Sequence, residues 1–252
     1  MISDYLFALI RHHGYIIMSI TVPVQNRINL PTAKKWSGLW YALFTLPFLA
    51  ALAFSIFQPI QVLPRISLSP GFALTDQDGK RLTNEDLRGH LVLYNFTYTN
   101  CVAPCPPTSA ALRAVQQQLA QINTRGVPVD LVTISFDPIR DQPAQLRAYA
   151  EKLGADTTNW HFVTGTPLQL KNVIGGGFGA FYQAEANGAF TFDPQFVLVD
   201  GVGIIRAKYR TSALEPTIIQ RDIELITAEA RNSKGAAKFA YEAAHLFLCY
   251  PK

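Results

Sequence analysis

Two cysteines four residues apart, Cys101 and Cys105, carry the reactive chemistry of this sequence. They lie in Thr97-Tyr98-Thr99-Asn100-Cys101-Val102-Ala103-Pro104-Cys105-Pro106-Pro107. Pro106 and Pro107 suit the first turn of a helix, where a missing N–H costs nothing. Cys105 is therefore expected near a helix N-terminus, whose free N–H groups and dipole favour a thiolate. A spacing of four lets both sulfurs face one side of a loop-to-helix turn. Such a pair can close a disulfide or clasp a soft metal, and thiolates select copper(I) over hard cations. A bridge across so short a loop stabilises less than a longer one would, so the pair reads as chemistry rather than as a staple. The third cysteine, Cys249, leaves an odd count, unlike a disulfide-rich scaffold.

Other candidate donors are weaker. His90 opens an apolar run and His161 lies within another, so both read as packed or surface histidines. His245 and Cys249 are i,i+4 in HLFLCYP, but two donors make a poor site, and packing of a short C-terminal helix is the expectation. Asp137 and Asp141 read as loop-capping residues rather than as acid–base groups. Tyr98 is three before Cys101 and Val102 three before Cys105, so the Thr-x-x-Cys pattern of peroxide-reducing relatives of this fold is missing.

The elements that must hold the cysteines follow from periodicity. His90–Phe96 is nearly continuous in apolar residues, as a buried central strand should be. A helix is expected over 107–122, a strand over 127–136, a helix over 142–153, a strand over 160–163 and a short helix over 167–173. Asp78-Gly79 and Asn187-Gly188 mark hairpins. The strands 195–199 and 204–209 form another hairpin, and 215–230 reads as a closing helix. Strands alternating with helices imply a parallel core, and the hairpins add antiparallel strands. The expected fold is α/β and thioredoxin-like, a central mixed sheet flanked by helices behind an N-terminal transmembrane helix. The cysteines fall at the carboxyl end of a central strand, where open α/β sheets place their sites.

Of the 252 residues, 49% are hydrophobic and only 16% charged. The run Leu39–Phe57 has no charge and is long enough to cross a bilayer. Arg27, Lys34 and Lys35 precede it, which places the N-terminus in the cytoplasm and the later residues outside. The run reads as an anchor rather than a cleaved signal. The expected layout is a cytoplasmic segment 1–36, a membrane helix 37–58, a linker 59–70, a folded domain 71–231 and a helical tail 232–252. The apolar pieces within 1–33 are too short to span, and His12 and His13 read as solvated. A net charge of +4 without a dense basic run gives no reason to expect nucleic acid.

Three ordered motifs carry a resemblance. FTYTNCVAPCPPTSAAL resembles the CxxxCP copper-site segment of Sco/SenC proteins, TISFDPIRDQPAQLRAYA their FDPxxD segment with its helix, and NWHFVTG their Trp-x-Phe-x-Thr-Gly strand. The resemblance covers about residues 66–230. It implies a thioredoxin fold, an anchor in the cell (inner) membrane with a single pass and an extracytoplasmic C-terminal domain, and copper as cofactor on Cys101 and Cys105. It implies the copper-centre subunit of cytochrome c oxidase as partner, and copper delivery to that binuclear centre as function. The alternative is a thiol–disulfide oxidoreductase, with Cys101 and Cys105 as a redox dithiol that reduces the oxidase cysteines. The family's third ligand, a histidine in an Asp-His pair before a late strand, is missing: Thr191-Phe192-Asp193-Pro194 stands there. This favours copper(I) over copper(II), which prefers nitrogen and oxygen donors.

Overall fold

The structure is a computed structural model that describes residues 37–101 and 105–251. The expected cytoplasmic segment, with His12, His13, Arg27, Lys34 and Lys35, lies outside the described residues, as do Val102, Ala103 and Pro104. The chain divides into two units, 1–49 and 50–252. Helix α1 (Ser37–Phe57) carries Pro47 inside it. Its stretch Trp40–Phe57 has a mean hydropathy of 1.8 and is long and apolar enough to cross a membrane.

In the second unit an eight-stranded sheet is built from β1 (Ser67–Leu68), β2 (Ala73–Asp76), β3 (Arg81–Thr83), β4 (Leu91–Thr97), β5 (Val129–Ser135), β6 (Trp160–Thr164), β9 (Phe196–Val199) and β10 (Ile204–Tyr209). Its order is β1-β10-β9-β4-β5-β6-β2-β3. β4, β5 and β6 are parallel, with Tyr94 opposite Val132 and Ile134 opposite Val163, whereas β9 runs antiparallel to β4. The small hairpin β7 (Tyr182–Ala184) and β8 (Phe190–Phe192) stands apart from this sheet and turns at Gly188, as its Asn-Gly pair predicts. The Asp78-Gly79 turn likewise joins β2 to β3.

Every residue of β4 and β5 is buried, because both faces of the sheet are covered. Alternation along β4 sends Val92, Tyr94 and Phe96 into one core layer and Leu91 and Leu93 into the other. The second layer is closed by α2 (Thr108–Gln118), α3 (Pro143–Leu153) and α5 (Pro216–Asn232), through Leu112, Val115, Leu146, Ile219, Ile223 and Ile226. The first is closed by the β2–β3 hairpin, by α4 (Pro167–Leu170) and by the segment that follows α4.

Two elements depart from the sequence expectations. The short helix does not stop near 173: it continues from Lys171 to Phe178 as a π-helical stretch that buries Val173, Ile174 and Phe178. Its three glycines weaken the helical signal in the sequence. Gly177 is there for close approach, since a Cβ on it would lie 2.3 Å from Pro70 Cβ. The second departure is the start of α2, at Thr108 rather than at the prolines. A proline disfavours helical geometry in the residue before it, so Pro107 holds Pro106 out of the helix. Pro107 itself, with ψ of 40°, is not helical. Cys105 thus lies near the N-terminus of the helix, as expected, three residues before its first residue. Beyond α5, α6 (Ala237–Leu246) completes the described chain.

Candidate functional site

The loop after β4 carries the cysteines, and Cys101 and Cys105 are joined as a disulfide with their Cα atoms 5.6 Å apart. Both residues are partly exposed. The pair therefore lies at the carboxyl end of the central parallel strand, with both residues partly open to solvent. Cys105 Sγ lies 3.7 Å from the Pro106 carbonyl oxygen, which a reduced thiol could use as an acceptor.

The approach to Cys101 is fixed by a carboxylate that the sequence assigns only to loop capping. Asp141 is fully buried. It accepts the Thr99 backbone N–H at 2.8 Å, the Thr99 hydroxyl at 2.6 Å and the Ser135 hydroxyl at 2.5 Å. Three donors on one buried carboxylate tie the loop after β4 to the end of β5 and to the turn before α3. Asp137 is also buried and pairs with the Arg140 guanidinium. Arg140 in turn lies 5.9 Å from the Tyr98 ring centroid and 6.0 Å from that of Phe190, and donates to the Gly188 carbonyl at the hairpin turn.

A cluster of aromatic rings lies in the core layer against which Cys101 packs. Phe136, at the end of β5, stands 5.0 Å from Tyr182, 5.1 Å from Phe190, 5.1 Å from Phe192 and 5.5 Å from Tyr98. The β7–β8 hairpin supplies three of these rings, and Cys101 packs against the same core layer. Burial pushes the Tyr182 phenol above its ordinary pKa. Alternation along the strands could have suggested that Phe190 and Phe192 share a face, but not which residues they would meet.

The region of the missing histidine is Thr191-Phe192-Asp193-Pro194, where Phe192 is half-buried in this cluster, Pro194 is half-buried, and Thr191 and Asp193 are exposed. The histidines of the described residues are engaged elsewhere or on another strand. His90 Nδ1 contacts the Asp130 carboxylate, and His245 Nε2 is 3.0 Å from Glu229 Oε1. His161 sits on β6 opposite Val132. His245 and Cys249 do not share a helix: α6 ends at Leu246, and Cys249 is buried beside Val62, Tyr241 and Ala244. Among the described residues no three His, Cys, Asp or Glu side chains converge as a metal site. In its reduced form the Cys101–Cys105 pair offers two adjacent sulfur donors, a set that fits copper(I) and is poor for copper(II).

Comparison with known proteins agrees with this arrangement. The SCO1/SenC family model matches residues 62–227. A SCO1 protein homolog of Bacillus subtilis is 36% identical over 94 residues, covering 37% of this chain and 47% of that protein. The chain thus spans about half the length of the first curated relatives it matches. Among solved structures, BsSco, described as a member of the Sco family of cytochrome c oxidase assembly proteins with a disulfide switch, superposes with a TM-score of 0.59. The identity is 25%, over 66% of this chain and 97% of that one. The copper-bound ScoI of Arabidopsis thaliana, at 23% identity and a TM-score of 0.56 over 64% of this chain and 98% of its own, shares the fold. A cysteine pair at the mouth of a thioredoxin-like sheet and a family match across most of the folded unit lead to one assignment: this chain belongs to the SCO1/SenC family.

Proposed function

We propose that the chain is a membrane-anchored assembly factor that carries copper(I) on Cys101 and Cys105 and delivers it to the binuclear copper centre of cytochrome c oxidase. The observation that carries this reading is the closed Cys101–Cys105 pair, partly exposed at the carboxyl end of β4 in a Sco-family fold. Reduction by a dithiol donor opens the disulfide and leaves two thiolates. These hold the soft ion as cargo and release it to a partner that offers more donors. The apolar helix α1 would hold the domain outside the cell membrane on a single pass, in a compartment where the disulfide state persists.

A second reading is favoured by one specific observation, the absence of a histidine from Thr191-Phe192-Asp193-Pro194. Here the dithiol acts on the oxidase cysteines themselves. One thiolate attacks the partner's disulfide to form a mixed disulfide and expels a partner thiolate. The second cysteine then attacks that bridge, closes Cys101–Cys105 and frees the other partner thiol. Two electrons pass to the partner, and no metal is needed.

Titration of the full chain in detergent with copper(I), after reduction and after oxidation, separates the two. Copper(I) binding by the reduced form only, abolished in Cys101→Ser, supports delivery. A measurable dithiol potential without copper affinity supports the reductase reading and overturns the first.

A further inference from the structure

The residues after 227 lie outside the family match and build a surface of their own. On its inner side the tail buries Tyr241, Ala244 and Cys249 against Val62, with Phe54, Ile60 and Phe247 packed around them. The Phe247 ring is 6.0 Å from that of Phe54, and the Val62 N–H donates to the Cys249 carbonyl at 3.0 Å. Phe54 is three residues, or about 4.5 Å, from the end of α1 at Phe57. The tail is thus packed onto the residues where the apolar helix finishes.

On its outer side the tail exposes large apolar side chains: Phe239 at 79%, Leu246 at 76% and Leu248 at 63%. Phe239 and Leu246 are seven apart on α6, hence on one stripe of the helix. Leu248 holds a φ of 52°, a left-handed conformation unfavourable for leucine. That turn sends Cys249 inward and leaves Leu248 outside. Arg231, Lys234 and Lys238 are exposed. Glu242, also exposed, falls on the stripe between Phe239 and Leu246 and is paired with Arg65, as is Glu229. Large exposed apolar side chains with exposed cations near them in the chain suit a helix that lies in a membrane interface.

We propose that α6 and Leu246–Leu248 form an interfacial foot that rests on an anionic lipid surface where α1 leaves the bilayer. This inference rests on the anchoring role proposed for α1. The occupant follows from continuity: where Phe54 is at the lipid boundary, Phe247 against it is too, and Phe239, Leu246 and Leu248 share its tail.

The test is to reconstitute the full chain in vesicles of phosphatidylethanolamine and phosphatidylglycerol, the latter carrying a photoactivatable diazirine at the headgroup–acyl boundary, and to map cross-linked peptides. Labelling of α1 and of residues 237–248 is the expected result. Phe239→Ser, Leu246→Ser and Leu248→Ser combined should cut labelling of the tail about tenfold while α1 stays labelled, since each removes an interfacial apolar group. Labelling of α1 without the tail overturns the foot and means that protein or water covers this face. Tail labelling unchanged in the triple variant overturns it as well. No labelling of α1 removes the anchor itself, and the foot with it.

Discussion

Thr99, two residues before Cys101, gives both its backbone N–H and its hydroxyl to the carboxylate of Asp141, at 2.8 and 2.6 Å. The loop that presents the cysteines is therefore held from below by a residue 42 positions away in the chain. Loss of that acceptor leaves buried donors unpaired, each costing about 1–3 kcal/mol. Asp141→Ala should lower the unfolding free energy by about 3 kcal/mol or more, read by urea denaturation of the full chain in detergent. Asp141→Asn, which keeps one acceptor oxygen, should lose less. Equal stability of both variants with the parent would refute this role.

Cys101→Ser and Cys105→Ser should leave the domain folded, because the loop they close is short and its bridge is worth only about 2 kcal/mol by chain entropy. The functional loss should be far larger than the structural one. In cells grown with limiting copper, either variant should fail to support oxidase copper-centre assembly, measured as oxidase activity. Full activity in both would count against the delivery and the reductase readings alike.

Phe192 lies within Thr191–Pro194, the stretch in which the family histidine falls, and its ring packs against Tyr98 and Phe136. Phe192→His should add a nitrogen donor beside the two sulfurs and raise affinity for copper(II). The expected sign is a thiolate-to-copper(II) charge-transfer absorption in the variant that the parent lacks. Its absence in a folded variant would show that position 192 does not reach the sulfurs.

Glu229 joins Arg206, Arg65 and His245, at 2.5, 2.9 and 3.0 Å. Burial raises its pKa, but bonding to and the charge of Arg206, with the bonds from His245 and Arg65, outweigh that and hold it below the ordinary glutamate value of 4.5. A depressed folded pKa means that this contribution is complete above the unfolded value and is lost as pH falls through the folded one. The denaturation midpoint should therefore drop on acidification below about pH 4.5. Glu229→Gln should flatten that drop and, by leaving Arg206 short of a partner, cost about 3 kcal/mol at neutral pH.

The central strands are readable because burial on both faces demands nearly continuous apolar runs, as in Leu91–Phe96 and Val129–Ile134, interrupted by Asn95, Asp130 and Thr133. The Asp78-Gly79 and Asn187-Gly188 turns were readable because those pairs suit hairpin geometry. The start of α2 falls one residue beyond the expected 107, because a proline also forbids helical geometry in the residue just before it. The extension of α4 as far as Phe178 is not legible because glycines carry little helical signal; close approach to Pro70 accounts for Gly177, and nothing in the structure explains Gly175 and Gly176.

By itself the sequence determined the cysteine pair, the order of strands and helices and the family, all of which rest on local spacing and on motifs contiguous in the chain. Only the tertiary structure decided what surrounds them: Asp141 beneath Thr99, Phe192 among the rings of the core layer that Cys101 packs against, Cys249 turned inward and Leu248 outward. Those relationships join residues distant in sequence or depend on a single backbone turn. Side-chain periodicity says which face is buried, but not which partner meets it across the fold.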